Sequence, residues 1–307
     1  MYIPEQEVRA VLSYEALIPA IRQALIDYSA GLVDQPPRTI LRAGNAEGFR
    51  NGWFAVMPVI HGDAMGVKTV TFFPGNAELD PKLGLHTHIA MVELLSRSTG
   101  EPLAVMDGRL ITEMRTAAVS AAAMDALAPR HATSLGILGS GVQARSHIEA
   151  LRLVRPGIKD IRIWSRTAAN AEKLATETGA RVVTIEEAAA ADVVLTVTAS
   201  PEPVLQGKWL GPDALVLAVG ATGAGLRELD DEAMQSSYVV AECRAAAERE
   251  AGDVRLSGMK VEAEIGEILA GRVAAPSGRR IVFKSVGMAI EDLTAARLVW
   301  QARNHPA

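Results

Sequence analysis

Residues 139–144 read Gly139-Ser-Gly141-Val-Gln-Ala144, directly after the apolar run Leu135-Gly-Ile-Leu and directly before a helix-forming segment at 145–153. Small residues at this spacing suit one kind of chemistry. Gly139 lets the chain turn sharply off a strand, Gly141 lets the backbone approach a pyrophosphate, and Ala144 lets the helix pack closely on the sheet. The helix start then offers free amides and a positive dipole end to phosphates. A glycine pattern of this kind can also be a turn that binds nothing. The strand before, the helix after and further β-runs downstream favour a dinucleotide cofactor. At the end of the next strand, where an acid would hold a free ribose 2′-hydroxyl, the chain has Ser165-Arg166-Thr167 instead. A guanidinium and two hydroxyls suit a 2′-phosphate, hence NADPH, with NADH the alternative; Arg166 is otherwise a solvated residue at a strand end.

A hydride-transfer enzyme also needs groups that fix its substrate, and the first third of the chain holds cations in unusual settings. Strand alternation puts Lys68 on one face with Val70 and Phe72, so it is either an edge gatekeeper or a buried functional group. Arg115 follows Thr112, read as the N-cap of an Ala-rich helix, where a cation opposes the helix dipole. An anionic ligand would compensate it, as would a contact with Thr112 or a salt bridge to Glu113. Arg38, after Gln35-Pro-Pro, is uninformative alone. His86 and His88 flank Thr87 and point to one face of a strand, but no nearby carboxylate or thiol completes a metal-ligand set. No metal is expected. GxSxG and GxxxxGK[ST] are absent, which removes the usual signals of serine hydrolases and P-loop enzymes.

The elements that must position these residues fall into two halves. An amphipathic helix is expected at 13–29, with Ser13 as its cap, then strands at 53–57 and 66–73 and a hairpin of 87–95 with 102–106. This is a helix plus an antiparallel sheet. The Ala-rich helix of 112–127 follows as a hinge. Beyond it, apolar β-runs at 134–138, 161–164, 191–197, 215–219 and 238–241 alternate with helical stretches, the pattern of a parallel α/β sheet. After Val282-Phe283-Lys284, a last helix at 291–303 ends the chain. Residues 271–280 give no readable signal.

Bulk properties fit a globular protein of 307 residues with a formal net charge of −5, no long block of one sign, and one cysteine. Nucleic acid is not an expected partner. The start of the chain lacks the features of a signal or transit peptide, and the longest mildly apolar run, 214–226, contains three glycines and is too short to cross a bilayer. The expected location is the cytoplasm, with no membrane partner.

Eight ordered blocks carry a resemblance: Gln35-Pro-Pro-Arg38, Lys68-Thr-Val-Thr-Phe72, Leu103-Ala-Val-Met-Asp-Gly, Ile111-Thr-Glu-Met-Arg115-Thr-Ala-Ala-Val-Ser, Arg162-Ile-Trp-Ser-Arg166-Thr, Arg227-Glu-Leu-Asp-Asp-Glu, Gly252-Asp-Val-Arg-Leu-Ser-Gly and Val282-Phe-Lys-Ser285-Val-Gly-Met-Ala-Ile-Glu-Asp. Together they resemble the ornithine cyclodeaminase/mu-crystallin family over nearly the whole chain, its mu-crystallin, ketimine-reducing branch more than its cyclodeaminases. The resemblance implies an α/β protein: a Rossmann domain at 131–288 and an α+β substrate-binding and dimerisation domain formed by 1–130 with 289–307, paired as a homodimer. It implies that Arg38, Lys68 and Arg115 hold the carboxylate of an amino or imino acid. The mechanism expected from this makes Lys68 and Arg115 catalytic, Lys68 either protonating the nitrogen or only stabilising the carboxylate, with Phe72 either beside the substrate ring or a core aromatic and Thr222 at the substrate. The resemblance places His88, Val142, Gln143, Ser165, Arg166, Thr167, Asn170, Thr198, Val219 and Ser285 around NADPH, with Gly139 and Gly141 in the phosphate turn. Where cyclodeaminases carry Asp in a GGDCPGKTEL-like loop, this chain has Thr222.

The expectation is therefore an NADPH-dependent ketimine reductase that takes Δ1-pyrroline-2-carboxylate or Δ1-piperideine-2-carboxylate to L-proline or L-pipecolate. Crowding by the neighbouring arginines should lower the Lys68 pKa. Ornithine cyclodeamination and alanine-dehydrogenase-like reductive amination are the rival enzymes. A crystallin-like protein that binds NADPH or hormone without turnover is the rival outside catalysis.

Overall fold

The computed structural model describes residues 1–44, 50–79 and 81–304. The chain divides into two compact units, Met1–Arg115 with Met288–Ala307, and Thr116–Gly287.

The first unit contains β1 (Tyr2–Ile3), α1 (Glu5–Val11), α2 (Tyr14–Ser29), β2 (Thr39–Ala43), β3 (Gly52–His61), β4 (Ala64–Phe72), β5 (His88–Ser96), β6 (Pro102–Asp107) and the first turns of α3 (Gly108–Leu127). Its sheet runs β1-β6-β5-β4-β3-β2. All neighbours are antiparallel except β1 and β6, which pair in parallel, so the sheet is mixed rather than purely antiparallel. The Ser13 hydroxyl caps α2 by accepting from the Ala16 amide, and Leu17, Ile21 and Leu25 fill the core from that helix. The last helix of the chain, α11 (Ala289–Asn304), packs on α2 and on β3, β4 and β5. On these strands every second residue, including Ala55, Met57, Val59, Val70, Ala90, Val92 and Leu94, is buried.

Two local expectations are corrected. Helix α3 begins at Gly108, where the Asp107 carboxylate accepts from the Arg109 amide. Thr112 is one turn inside it, its hydroxyl donating back to the Gly108 carbonyl. Arg115 is consequently two turns from the helix start, too deep for the dipole argument to apply. Strand β5 begins at His88, so His86 precedes the strand and the two histidines do not share one strand face.

The second unit contains β7 (Ser134–Leu138), α4 (Val142–Val154), β8 (Asp160–Trp164), α5 (Ala168–Thr178), β9 (Arg181–Val182), α6 (Ile185–Ala189), β10 (Val193–Thr196), β11 (Leu215–Ala218), α7 (Asp231–Gln235), β12 (Tyr238–Ala241), α8 (Arg244–Glu250), α9 (Gly252–Ser257), β13 (Ala263–Glu264), α10 (Ile265–Leu269) and β14 (Ile281–Lys284). All its strand pairs are parallel, in the order β13-β12-β14-β11-β10-β7-β8-β9. Strands β7, β10, β11 and β14 are buried throughout, as expected for a sheet covered on both faces. Among the described residues no helix is long and apolar enough to cross a membrane.

Close packing of α6 against β7 depends on Gly136, because a Cβ there would sit 1.7 Å from the Ala188 carbonyl oxygen. Overpacking typically costs about 1–3 kcal/mol, and backbone cannot yield as a side-chain tip can. Gly136→Ala is expected to lower the unfolding free energy by about 3 kcal/mol or more in urea titration; a loss within about 0.5 kcal/mol would mean that α6 is free to shift.

Candidate functional site

Lys68 lies on central strand β4, on the face covered by α11, and is 3% exposed. The gatekeeper alternative is therefore removed. Its ammonium donates to both oxygens of Asp292, at 3.0 and 3.2 Å. Arg115, 6% exposed, donates from Nε to Asp292 Oδ1 at 3.2 Å and from Nη1 to Glu291 Oε2 at 2.5 Å. Both acids stand in the first turn of α11, where negative charge also suits the helix dipole. That turn is fastened in place by Gln35, whose Oε1 accepts from the Ile290 amide at 2.8 Å. Segment 35–38 thereby joins the assembly, and Arg38 is close enough for its charge to act on Lys68.

The Lys68 pKa is lowered to about 8, first by burial and then by Arg115 and Arg38, against the pull of Asp292 in the other direction. Crowding by cations was the cause expected from sequence, but loss of water is the larger one. Arg115 forms ion pairs with Glu291 and Asp292, acids that the sequence alternatives of Thr112 and Glu113 did not include.

Next along the same strand, Phe72 stands opposite His88 on β5, their ring centroids 4.4 Å apart, and Trp53 on β3 closes the group at 5.6 Å from Phe72. Partial burial, and then the positive charge of Lys68, hold the His88 pKa below the usual histidine value. The result is a cationic floor with an aromatic wall, suited to a small anion carrying an apolar ring.

In the second unit Gly139 follows β7 with φ of +127°, a conformation that favours glycine, and a Cβ there would meet Val197 at 2.9 Å. A Cβ on Gly141 would meet nothing within 4 Å, and Gly141 has no side chain to cap α4, which starts at Val142 rather than at 145. This open helix start fits a pyrophosphate. The helix is tied inward by His147, whose Nδ1–H donates to the Gln143 carbonyl (2.7 Å) while Nε2 accepts from the Ser120 hydroxyl (2.9 Å). Burial holds that imidazole neutral, its pKa lowered to about 4. Ser140 donates to Ser165 at 2.9 Å, joining the glycine turn to the end of β8, where Arg166, Thr167 and Asn170 are exposed.

Beyond β10 and β11, a fully buried carboxylate gathers the loops. Glu228 accepts from the Thr198 amide and hydroxyl, the Thr196 hydroxyl and the amides of Gly220 and Ala221, at 2.6–3.1 Å. Asp253 accepts from the Glu228 and Leu229 amides and pairs with Lys284 at 2.9 Å. Val219 is held by its amide on the Thr196 carbonyl, and Ser285 by Glu242, which also accepts from the Val286 and Gly287 amides. Thr222 is exposed in the loop that Glu228 closes. Thr198, Val219, Ser285 and Thr222 thus all sit at the carboxyl ends of the parallel strands, where open α/β sheets bind ligands.

The model of the ornithine cyclodeaminase/mu-crystallin family matches residues 2–305. The chain belongs to that family. It is 42% identical over 311 residues to the ketimine reductase mu-crystallin of Mus musculus, covering 98% of this chain and 96% of the relative. It superposes on an archaeal alanine dehydrogenase dimer with bound NAD at a TM-score of 0.92, with 30% identity, covering 100% of this chain and 97% of the other. The Δ1-pyrroline-2-carboxylate reductase of Thermococcus litoralis, in complex with NADH and L-proline, superposes at 0.91, with 31% identity, covering 99% and 98%. For a member of this family, the α/β fold with a mixed sheet and a parallel sheet is the one seen in these structures.

Sequence reasoning missed the acids. Glu291 and Asp292 have no role assigned from sequence, and only the apolar residues Met288-Ala-Ile before them hint at burial. Glu228, Asp253 and Lys284 likewise have none. Removing Asp253 would leave Lys284, fully buried, without its counter-charge and two amides without an acceptor. Asp253→Ala is expected to cost about 3–5 kcal/mol in urea unfolding; a cost under about 1 kcal/mol would show that Lys284 finds another partner or sheds its proton.

Proposed function

We propose that this chain is an NADPH-dependent ketimine reductase that converts Δ1-pyrroline-2-carboxylate or Δ1-piperideine-2-carboxylate to L-proline or L-pipecolate. The observation that carries the reading is Lys68 and Arg115 held charged in an apolar interior, in a chain whose other unit has an open glycine turn at a helix start. The likeness to a ketimine reductase and to a pyrroline-carboxylate reductase supports it. Thr222, in place of the acid of cyclodeaminases, favours reduction over ammonia loss.

In this reading the first unit is the substrate and dimerisation unit and the second binds the dinucleotide. Gly139, Gly141, Val142 and Gln143 hold the pyrophosphate. Ser165, Arg166, Thr167 and Asn170 hold the 2′-phosphate end, and Thr198, Val219, Ser285 and His88 line the remainder. When bound, the reduced dinucleotide supplies the hydride. Arg38 and Arg115 attract the substrate carboxylate, and Phe72 packs beside the ring. Because Nε and Nη1 of Arg115 are already held by acids, the guanidinium cannot swing, and orientation is gained at the expense of reach. Thr222 borders the substrate as a small hydroxyl. Lys68 gives a proton to nitrogen as the C=N bond is reduced.

The decisive assay is oxidation of NADPH and NADH by the purified protein with Δ1-pyrroline-2-carboxylate, beside ornithine with NAD monitored for ammonia and pyruvate with ammonia. Imine-dependent NADPH oxidation is expected, with Arg166→Ala weakening NADPH about 10- to 100-fold while sparing NADH, the value of a charge-assisted contact. Ammonia release from ornithine, or turnover only with added ammonia, would overturn the reading.

The homodimer rests on the sheet face opposite α11. There β5 exposes Ile89 and Met91, 46% and 50% accessible, with half-buried Val67 on β4 and Val56 on β3. Exposed apolar side chains gathered on one face are a usual mark of association. Gel filtration with light scattering is expected to give twice the 32.6 kDa chain mass, and Met91→Glu to shift it towards the monomer. A monomer at micromolar concentration in the unaltered protein would refute the pairing.

A further inference from the structure

Lys68 can act as an acid only while it carries a proton, and its surroundings work against that. The groups facing it come from every element packed around β4. Asp292 and Glu291 come from α11, Arg115 from α3, Arg38 from the segment before β2, and His88 from β5. Burial removes water from the ammonium, and Arg115 and Arg38 add like charge. Among the described residues only Asp292 contacts the ammonium with negative charge, through both carboxylate oxygens, and the same residue holds Arg115.

We propose that Asp292 is the positioning residue that keeps Lys68 protonated and aimed, and so sets the alkaline limit of imine reduction. The proposal rests on the reductase reading above and assigns the acid that loads its proton donor. In the step itself the C=N π bond is broken. Its carbon gains the hydride of the reduced dinucleotide, its nitrogen gains the Lys68 proton, and neutral Lys68 regains a proton from water. Asp292 keeps its contact with Arg115 while Lys68 gives up its proton.

The geometry makes the choice of Asp292 over Glu291 specific. Glu291 reaches Arg115 Nη1, and no contact with Lys68 is recorded for it, so losing it alters Arg115 first. Asp292 touches both cations, so Asp292→Asn keeps the shape and the oxygen acceptor while deleting the charge. An opposite charge at this distance is worth about 1–3 pKa units.

The test combines two readouts. In apo protein labelled with [15N]lysine, the Lys68 ammonium signal, assigned by its loss in Lys68→Met, is followed against pH. It is expected to titrate at about 8 in the unaltered protein, about 1–2 units lower in Asp292→Asn, near the parent value in Asp292→Glu, and higher in Arg38→Gln. The alkaline limb of kcat/KM for Δ1-pyrroline-2-carboxylate with NADPH should move with it in each variant, and Asp292→Asn should recover activity as pH falls. Unchanged Lys68 titration in Asp292→Asn overturns the proposal. A moved titration with an unmoved limb overturns the proton-donor role. A moved titration in a protein that reduces no imine supports the ion-pair assignment and rejects the reductase reading instead. Should Asp292→Asn fail to fold, Arg38→Gln tests the same balance from the opposite sign, and a fall or no change in its Lys68 pKa overturns the proposal.

Discussion

The first unit is organised around one constraint: two cations have been taken out of water, and a carboxylate must be delivered to them. Asp292 is that carboxylate. It cannot reach Lys68 unless α11 lies across β4, and it cannot reach Arg115 unless α3 leaves β6 at Gly108 and brings its second turn alongside. Gln35 adds the segment that carries Arg38 to the same helix end. Replacing such a cluster by apolar residues is often neutral or stabilising. Its presence in an otherwise well-packed core is therefore better accounted for by what the charges do than by what they contribute to folding.

The second unit solves a related problem with backbone. The carboxyl ends of β10 and β11 and the loop of Thr222 leave amides pointing inward. Glu228 collects them, while Asp253 and Lys284 supply a second pair one layer away. Burial raises the Glu228 pKa, but Lys284 and the Thr198 donors pull the other way, and three backbone amides aimed at its oxygens require an acceptor. Gly220 leaves no alternative arrangement, since a Cβ there would meet the Thr198 carbonyl oxygen at 2.0 Å. The loop is thus held at its base while Thr222 stays exposed.

What could be read in advance follows the range of the interactions. The turn at 139–144 is legible because strand, glycines and helix are contiguous, and Lys68 because alternation along one strand puts it with Val70. Arg115 was misplaced because a strand ending in Asp107-Gly108 gives no helical period, so the cap was assigned one turn late. The partners of Lys68 and Arg115 lie 224 and 176–177 residues away in the chain, and no local pattern reports such a contact. Strands β1, β9 and β13 are two residues each, too short to show any period at all.

The order in which the chain is made gives the Gln35–Ile290 and Lys68–Asp292 contacts a further meaning. The second unit is one continuous stretch and is complete before residue 288 is added. The first unit needs α11, and until that helix is made its sheet lacks a cover and its two cations lack their acids. The second unit can therefore acquire structure during synthesis while the first still waits for α11. A chain that stopped short of α11 would keep every residue of the glycine turn and yet have no place for Lys68 to be charged.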